Sequence, residues 1–183
     1  MKKIIIILTS IFLIGLQDAI LAQSKPFVPT DFKVPDTLQN EHFRIRMLTI
    51  NDVVKDYDAV MSSIEHLQEM FPLSSWPSKE LTFEQDLIDL GWHHREFQMR
   101  RSFAYTVVSL DESQVVGCLY INPTIKGDYD ALITMWVRAS EVDNGLDPIL
   151  FDSVKQWILK DWPFKNVAYP GREINWNEWD SIK

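Results

Sequence analysis

Cysteine is almost absent from this sequence, which contains a single one, Cys118, among 183 residues. An internal disulfide is therefore excluded, and so is a small scaffold that depends on several of them. Cys118 lies inside the apolar run Val115–Ile121, where a buried and unreactive thiol is expected. We assign it no catalytic role.

Basic residues are also scarce. Lysine and arginine number 18 against 26 aspartate and glutamate residues, which gives a formal net charge of −8. A surface of this charge repels the phosphate backbone of nucleic acids and the head groups of anionic lipids. Nucleic acid is therefore not an expected partner.

A hydrophobic run that could span a bilayer, which takes roughly 20 apolar residues, is missing as well. The apolar run Ile4–Leu16 is shorter; Lys2 and Lys3 precede it, and the small residue Ala22 follows. This pattern is typical of a cleaved secretory signal. We predict that residues 1–22 are a signal peptide, that the chain is exported (periplasmic or secreted), and that no stable membrane span remains after cleavage. The alternative is an N-terminal membrane anchor.

About 160 residues follow the signal, enough for one domain with a hydrophobic core. Hydrophobic residues make up 46% of the chain and charged residues 24%, which are proportions of a folded globular protein. Residues 23–42 contain Pro26, Pro29 and Pro35 and favour an extended lead-in, packed loosely on the domain surface. The domain itself is predicted over residues 43–183.

The periodicity of apolar residues predicts alternating strands and helices in this domain. Thr82 and Gln85 have the spacing of a helix capping box, and Asp147–Pro148 is typical of a helix start, with aspartate as the N-cap. Trp176 and Trp179 in the tail either cover an open sheet edge, the favoured interpretation, or form an exposed aromatic surface. The predicted elements are a strand at 43–48, a helix over 53–67, a helix over 82–100, strands at 103–110, 114–122 and 131–138, a helix from 147, and a strand at 165–169.

This element order resembles that of the GNAT acyltransferase superfamily. The resemblance implies an α+β fold with a mixed, mostly antiparallel central sheet flanked by helices, C-terminally abbreviated. The blocks 103–107, 117–121 and 169–172 look like those of a small uncharacterised GNAT-like subgroup.

The resemblance also implies a segment that faces acetyl-CoA. Met135, Trp136 and Val137 match the end of the family's central strand, whose backbone pairs with the pantetheine arm of acetyl-CoA. Asn144, Gly145 and Leu146 fall in the register of the family's pyrophosphate loop. These six residues are the predicted cofactor-binding residues.

That loop departs from the family's pattern. Val142 stands where the family usually has glutamine or arginine, and Gly145 alone matches. Because a pyrophosphate binds a helix N-terminus through free N–H groups and the helix dipole, Asp147, Pro148 and the nearby Asp143 all disfavour it. Acetyl-CoA binding is therefore expected to be weak or lost.

Family members commonly use a carboxylate near the central strands as a general base and a tyrosine after the fifth strand as an acid. Glu112 and Asp130 lie near predicted strand ends, and Tyr169 lies near the region of the acid. None of them matches clearly, so the catalytic residues stay unassigned.

The helix predicted over 82–100 carries several potential metal ligands. Asp89 and His93 have the i, i+4 spacing at which two side chains can meet one ion. A solvated acidic face explains Asp86, Asp89 and Glu96 better, so no metal site is predicted. His94 is placed on the apolar stripe Phe83, Leu87, Leu90, His94 and Phe97, as a core histidine or as one at the edge of an acceptor groove.

Two functions follow. The first is an acyl-CoA-dependent N-acyltransferase on an unknown amine acceptor, either a small molecule or a peptide. The alternative is an exported, non-catalytic binding module on the same fold. The sequence leaves the acceptor and the oligomeric state open.

Overall fold

A computed structural model describes residues 26–183. The predicted signal peptide, residues 1–22, lies outside the described residues. Within residues 26–183, no helix is both long enough and apolar enough to cross a membrane.

Six strands form one sheet in which spatial order follows chain order. Each strand is antiparallel to its neighbour except at the last position, where β5 and β6 are parallel. The mixed, mostly antiparallel sheet that the sequence predicts is thus confirmed. The strands are β1 (Thr37–Gln39), β2 (Arg44–Met47), β3 (Phe103–Val108), β4 (Val115–Asn122), β5 (Ala131–Val137) and β6 (Val167–Ala168).

Helices cover both faces of this sheet. Short 3₁₀ turns, Ile50–Asp52 and Ala139–Glu141, precede the first and the fourth helix. The helices are α1 (Val53–Met61), α2 (Ile64–Met70), α3 (Phe83–Gln98), α4 (Leu146–Asp161) and α5 (Trp176–Ser181).

The single helix predicted over 53–67 is in fact two. The helix is interrupted at Ser62 and Ser63, whose hydroxyls accept hydrogen bonds from the segment after β5. The Arg138 guanidinium donates to Ser62 Oγ at 3.0 Å, and the Ala139 amide donates to Ser63 Oγ at 2.9 Å. Serine side chains that bond to the backbone and to neighbours disfavour a helix interior. This contact fixes α1 and α2 beside the end of β5.

The lead-in differs from the expectation of loose packing. β1 lies within it and pairs with β2, and Val28 is only 1% exposed. The Arg100 guanidinium holds the segment further by donating to the carbonyls of Pro29 and Phe32, both at 2.8 Å. The lead-in is therefore an integral part of the sheet and of its core.

Alternate residues of β4 and β5 belong to different cores, as the pleat of a strand requires. Met135 and Val137 pack with α4 on one face of the sheet. Cys118 and Trp136 pack with α1 and α3 on the other. The C-terminal half of β5 therefore lies between two separate environments.

Candidate functional site

A gap opens in the sheet beside the C-terminal half of β5. Within the described chain, β6 pairs with β5 only through Ala131 and Leu132, and β5 continues to Val137. On its other side β5 stays fully paired with β4, up to the pair Gly117 and Val137. The carbonyl of Met135 thus faces the gap.

Arg172 reaches into this gap from the segment that follows β6. Its Nη2 donates to the Met135 carbonyl at 3.4 Å and to Asp147 Oδ1 at 2.6 Å, while Nη1 contacts Asp147 Oδ2. The guanidinium carbon also lies 5.5 Å from the centre of the Phe151 ring. A bidentate arginine–carboxylate pair of this kind is geometrically well defined, so the gap carries both a cation and an anion.

The start of α4 differs from the prediction. The helix begins at Leu146, and Gly145, not Asp147, is its N-cap, with φ at 72°. Glycine adopts this left-handed conformation without steric strain, which lets the helix begin before the Asp147–Pro148 pair. The carboxylate of Asp147 is then free of a capping role and binds Arg172.

The six predicted cofactor residues take up distinct positions. Met135 and Val137 are buried on the α4 face, where they share a core with Leu146. Trp136 is fully buried on the opposite face. Asn144 is exposed at the loop and donates to the Ser140 carbonyl at 3.3 Å. Sequence reasoning missed Arg172, because only the fold brings it to α4 from 25 positions away.

Two aspartates with raised pKa values lie on the face of the sheet that Trp136 occupies. Asp56 of α1 is 4% exposed, and it accepts a hydrogen bond from Cys118 Sγ at 3.3 Å. Burial, followed by the charge of Asp86, raises the pKa of Asp56 to about 7. Burial and then Asp89 raise the pKa of Asp86 to about 6. Carboxylates with pKa values this close to neutrality are suited to general base catalysis.

The inner face of α3 includes Leu90 and Phe97 of the predicted stripe but not Phe83 and Leu87. Asp86 and Leu90 are 3% and 2% exposed, whereas Phe83 and Leu87 are 40% and 38% exposed. The helix therefore turns Asp86, instead of Phe83 and Leu87, towards the sheet. An aspartate that faces a core breaks the apolar periodicity on which the prediction rested.

Both histidines of α3 are half-buried. The ring of His93 packs against that of Tyr120, 5.0 Å between centroids, and burial lowers the pKa of His93. His94, which the sequence places on the inner stripe, is half-buried. Asp89 Oδ2 lies 3.7 Å from His93 Nε2. No cluster of three or more histidine, cysteine, aspartate or glutamate side chains in residues 26–183 could hold a metal ion.

The other candidates have structural partners. Glu112 is paired with Arg44 and Arg46, and Asp130 accepts from the amide of Asn166 at 2.9 Å. Burial and then Glu173 raise the pKa of Tyr169 to about 12, so its hydroxyl stays protonated.

Cys118 is buried, as predicted. Burial and the charge of Asp56 raise the pKa of its thiol, which disfavours the nucleophilic thiolate.

A cleft of about 420 Å³ leads to Asp86 from the surface. Trp76 in its wall has its ring centre 6.1 Å from that of Trp136 on β5. Trp76 thus connects the cleft to Trp136, the residue next to Met135 on β5. The cleft is lined by Ser75, Trp76, Ser78, Glu80, Leu81, Gln85, Asp86 and Asp89.

Solved acetyltransferase structures share this fold. RimL, a ribosomal alpha-N-protein acetyltransferase, matches with a TM-score of 0.57 and 14% identity over 78% of this chain and 75% of its own. The microcin self-immunity acetyltransferase MccE, in complex with acetyl-CoA and AMP, matches with a TM-score of 0.55 and 12% identity over 74% and 73%. A GNAT-family acetyltransferase from Bacillus anthracis gives 0.54 and 13% over 73% and 72%.

The chain therefore has the GNAT fold, and the resemblance seen in the sequence is confirmed at the level of the fold. No protein family and no curated protein matches the sequence itself.

Proposed function

We propose that the protein is an acyl-CoA-dependent N-acyltransferase that acts on an amine. One observation carries the proposal: the gap between β5 and β6 lies at Met135, and the acidic cleft is joined to the next residue of β5, Trp136, through the ring of Trp76. A transferase must bind its donor and its acceptor next to each other, because their reacting atoms have to approach closely in a defined geometry.

The groups in the gap are of the kind that an acyl-CoA requires. The Met135 carbonyl can accept a hydrogen bond from a pantetheine amide, and the Arg172 guanidinium can pair with a phosphate. When bound, acyl-CoA supplies an activated acyl thioester. In the structure Arg172 donates to the Met135 carbonyl and to Asp147. A ligand that enters the gap must therefore replace both of these hydrogen bonds with its own.

The acidic cleft supplies the proton chemistry of the acceptor. An aliphatic amine is protonated at neutral pH and must lose a proton before it can attack a carbonyl. Asp86, which lines the cleft and whose pKa is raised to about 6, can accept that proton in part at the same pH. The charge of Asp86 acts in turn on Asp56, whose pKa is raised to about 7, chiefly by burial.

Release of free thiol from acetyl-CoA in the presence of amines tests the proposal. We expect turnover with some amine and a calorimetric dissociation constant for acetyl-CoA weaker than about 0.1 mM, near −5.5 kcal/mol. The negative charge of Asp147 at the phosphate position is the reason for the weak binding. A micromolar constant would overturn the charge argument. No thiol release at millimolar acetyl-CoA with any amine, together with capture of a binding partner, would replace the enzyme with the non-catalytic module.

The compartment bears on the same question, because acyl-CoA is a cytoplasmic metabolite. Export through the signal predicted at residues 1–22 would separate the protein from its cofactor. An acyltransferase of this kind is expected to act before or without export. The alternative, a binding module, is compatible with a mature exported chain.

A further inference from the structure

The acidic cleft has a strong imbalance of charge. Three of its lining residues, Glu80, Asp86 and Asp89, are carboxylates, and none of the lining residues is lysine, arginine or histidine. The nearest lysine in sequence, Lys79, is directed to Glu65 with an N–O distance of 3.1 Å. The cleft therefore presents negative charge that the residues lining it do not neutralise.

Asp86 is the deepest of these three carboxylates. It is only 3% exposed, and its Oδ2 has no hydrogen-bond partner among residues 26–183. A buried carboxylate oxygen without a partner is destabilising for the free protein. Such an atom at the base of a cleft is explained by a ligand that donates to it.

The spacing of the charges indicates the shape of that ligand. Asp86 and Asp89 lie three residues apart on one helix, so both carboxylates border the same side of the cleft. These carboxylates do not converge as metal ligands in the described chain. Trp76 lines the same cleft, and an indole face attracts an ammonium group and packs against methylene carbons.

We propose that this cleft binds a linear aliphatic polyamine, with one ammonium at Asp86, a second at Asp89, and the connecting methylenes against Trp76. The site itself stands on its own geometry. That the polyamine is the acyl acceptor rests on the proposed N-acyltransferase function.

Calorimetry with spermidine on the full protein, without acyl-CoA, tests the site. We expect binding by the unaltered protein, and at least a fivefold loss of affinity for Asp86→Asn and for Asp89→Asn. Glu84→Gln is the matched control, since Glu84 is an exposed carboxylate of the same helix that does not line the cleft. Its affinity should equal that of the unaltered protein.

Two outcomes would overturn the site: no binding by the unaltered protein, or an equal loss in Glu84→Gln, which would indicate diffuse attraction by an acidic surface. Asp89 has a side chain 53% exposed, so Asp89→Asn keeps the test valid if Asp86→Asn fails to fold. Thiol release from acetyl-CoA is measured separately. Spermidine binding without thiol release would overturn the acyl transfer and leave the site standing. Thiol release with spermidine that is unchanged in both variants would overturn the assignment of the bound polyamine as the acyl acceptor.

Discussion

Asp147 is expected to lower the affinity of the gap for the phosphates of acetyl-CoA. Its carboxylate is 26% exposed and holds Arg172 against α4. We predict that Asp147→Asn tightens acetyl-CoA binding about fivefold, equivalent to about 1 kcal/mol for a partly exposed charge. The variant removes a negative charge at the helix N-terminus, where a phosphate is favoured, and frees Arg172 to pair with that phosphate.

Titration calorimetry at low ionic strength measures this change. Asp152→Asn is the control, because Asp152 is an exposed aspartate of the same helix and should leave the affinity unchanged. Unchanged or weaker binding by Asp147→Asn would show that Asp147 does not compete with the phosphates.

The free energy of unfolding depends on pH through Asp56, and the direction of this dependence follows from its raised pKa. Its folded pKa, about 7, lies above the ordinary value of 3.8. Its stabilising contribution is therefore complete at low pH and is lost as the pH rises from about 4 through about 7. The free energy of unfolding should fall by about 1 kcal/mol from this group alone between pH 6 and pH 8.

Urea unfolding at pH 6 and pH 8 measures this effect, with Asp56→Asn as the comparison. The variant should lack this part of the pH dependence. His93, whose pKa is lowered by burial, acts in the opposite direction, but it does so in both proteins and cancels in the difference. Identical pH dependence in the two proteins would contradict a raised pKa for Asp56.

At the scale of elements, the tail after β6 ties both faces of the sheet together. Trp176 of α5 donates from Nε1 to the Met70 carbonyl at the end of α2, at 2.9 Å, and its ring contacts Phe71. Trp179 is 7% exposed and packs against Tyr129. Both tryptophans thus pack on the domain and do not form an exposed aromatic surface, but their contacts are with α2 and with the loop before β5.

We predict that Trp176→Ala lowers the melting temperature by about 3–8 °C. The loss of ring packing and of one buried hydrogen bond is worth on the order of 1–3 kcal/mol, and each kcal/mol is worth a few degrees at this size. Differential scanning calorimetry measures it. Trp92→Ala is the matched control, because Trp92 is 48% exposed and should shift the melting temperature less. Equal shifts would mean that α5 contributes little to stability.

Elements with strong local signals were predictable. The β3–β4 hairpin, the capping box of α3 through Thr82 and Gln85, and the strand β5 follow from periodicity and capping chemistry. The break at Ser62–Ser63 was not, since it depends on Arg138 and Ala139, which lie far along the chain. Strand β1 was missed because three residues that follow a proline-rich stretch carry too short a pattern.

At the scale of the whole molecule, the candidate site consists of contacts between distant segments. Asp56 and Cys118 are 62 positions apart, and Asp147 and Arg172 are 25 apart. No local pattern marks either pair. Asp86 is the instructive error, because periodicity places this charged residue on the solvated face of α3, whereas the structure buries it to 3% exposure and leaves Phe83 and Leu87 of the apolar stripe 40% and 38% exposed.

The compartment of the protein is a prediction at the same scale. If the chain is exported through the predicted signal, mass spectrometry of the native protein should find an N-terminus at residue 23 and the protein outside the cytoplasm. A cytoplasmic protein with residues 1–22 intact would contradict export and favour the acyltransferase. Cell fractions probed with an antibody against the folded domain provide the independent measurement.

The position of Arg172 has a consequence for measurement. Arg172 in the gap and Trp176 against α2 lie four residues apart on one segment, and the indole packs directly on Gly171, where an added Cβ would lie 2.5 Å from Trp176 Nε1. We therefore predict that a ligand that displaces the guanidinium from Met135 also changes the packing of the indole. Where ligand binding and indole packing are coupled in this way, each changes the free energy of the other by the same amount. The fluorescence of Trp176 would then report the occupancy of a gap that the indole itself does not line.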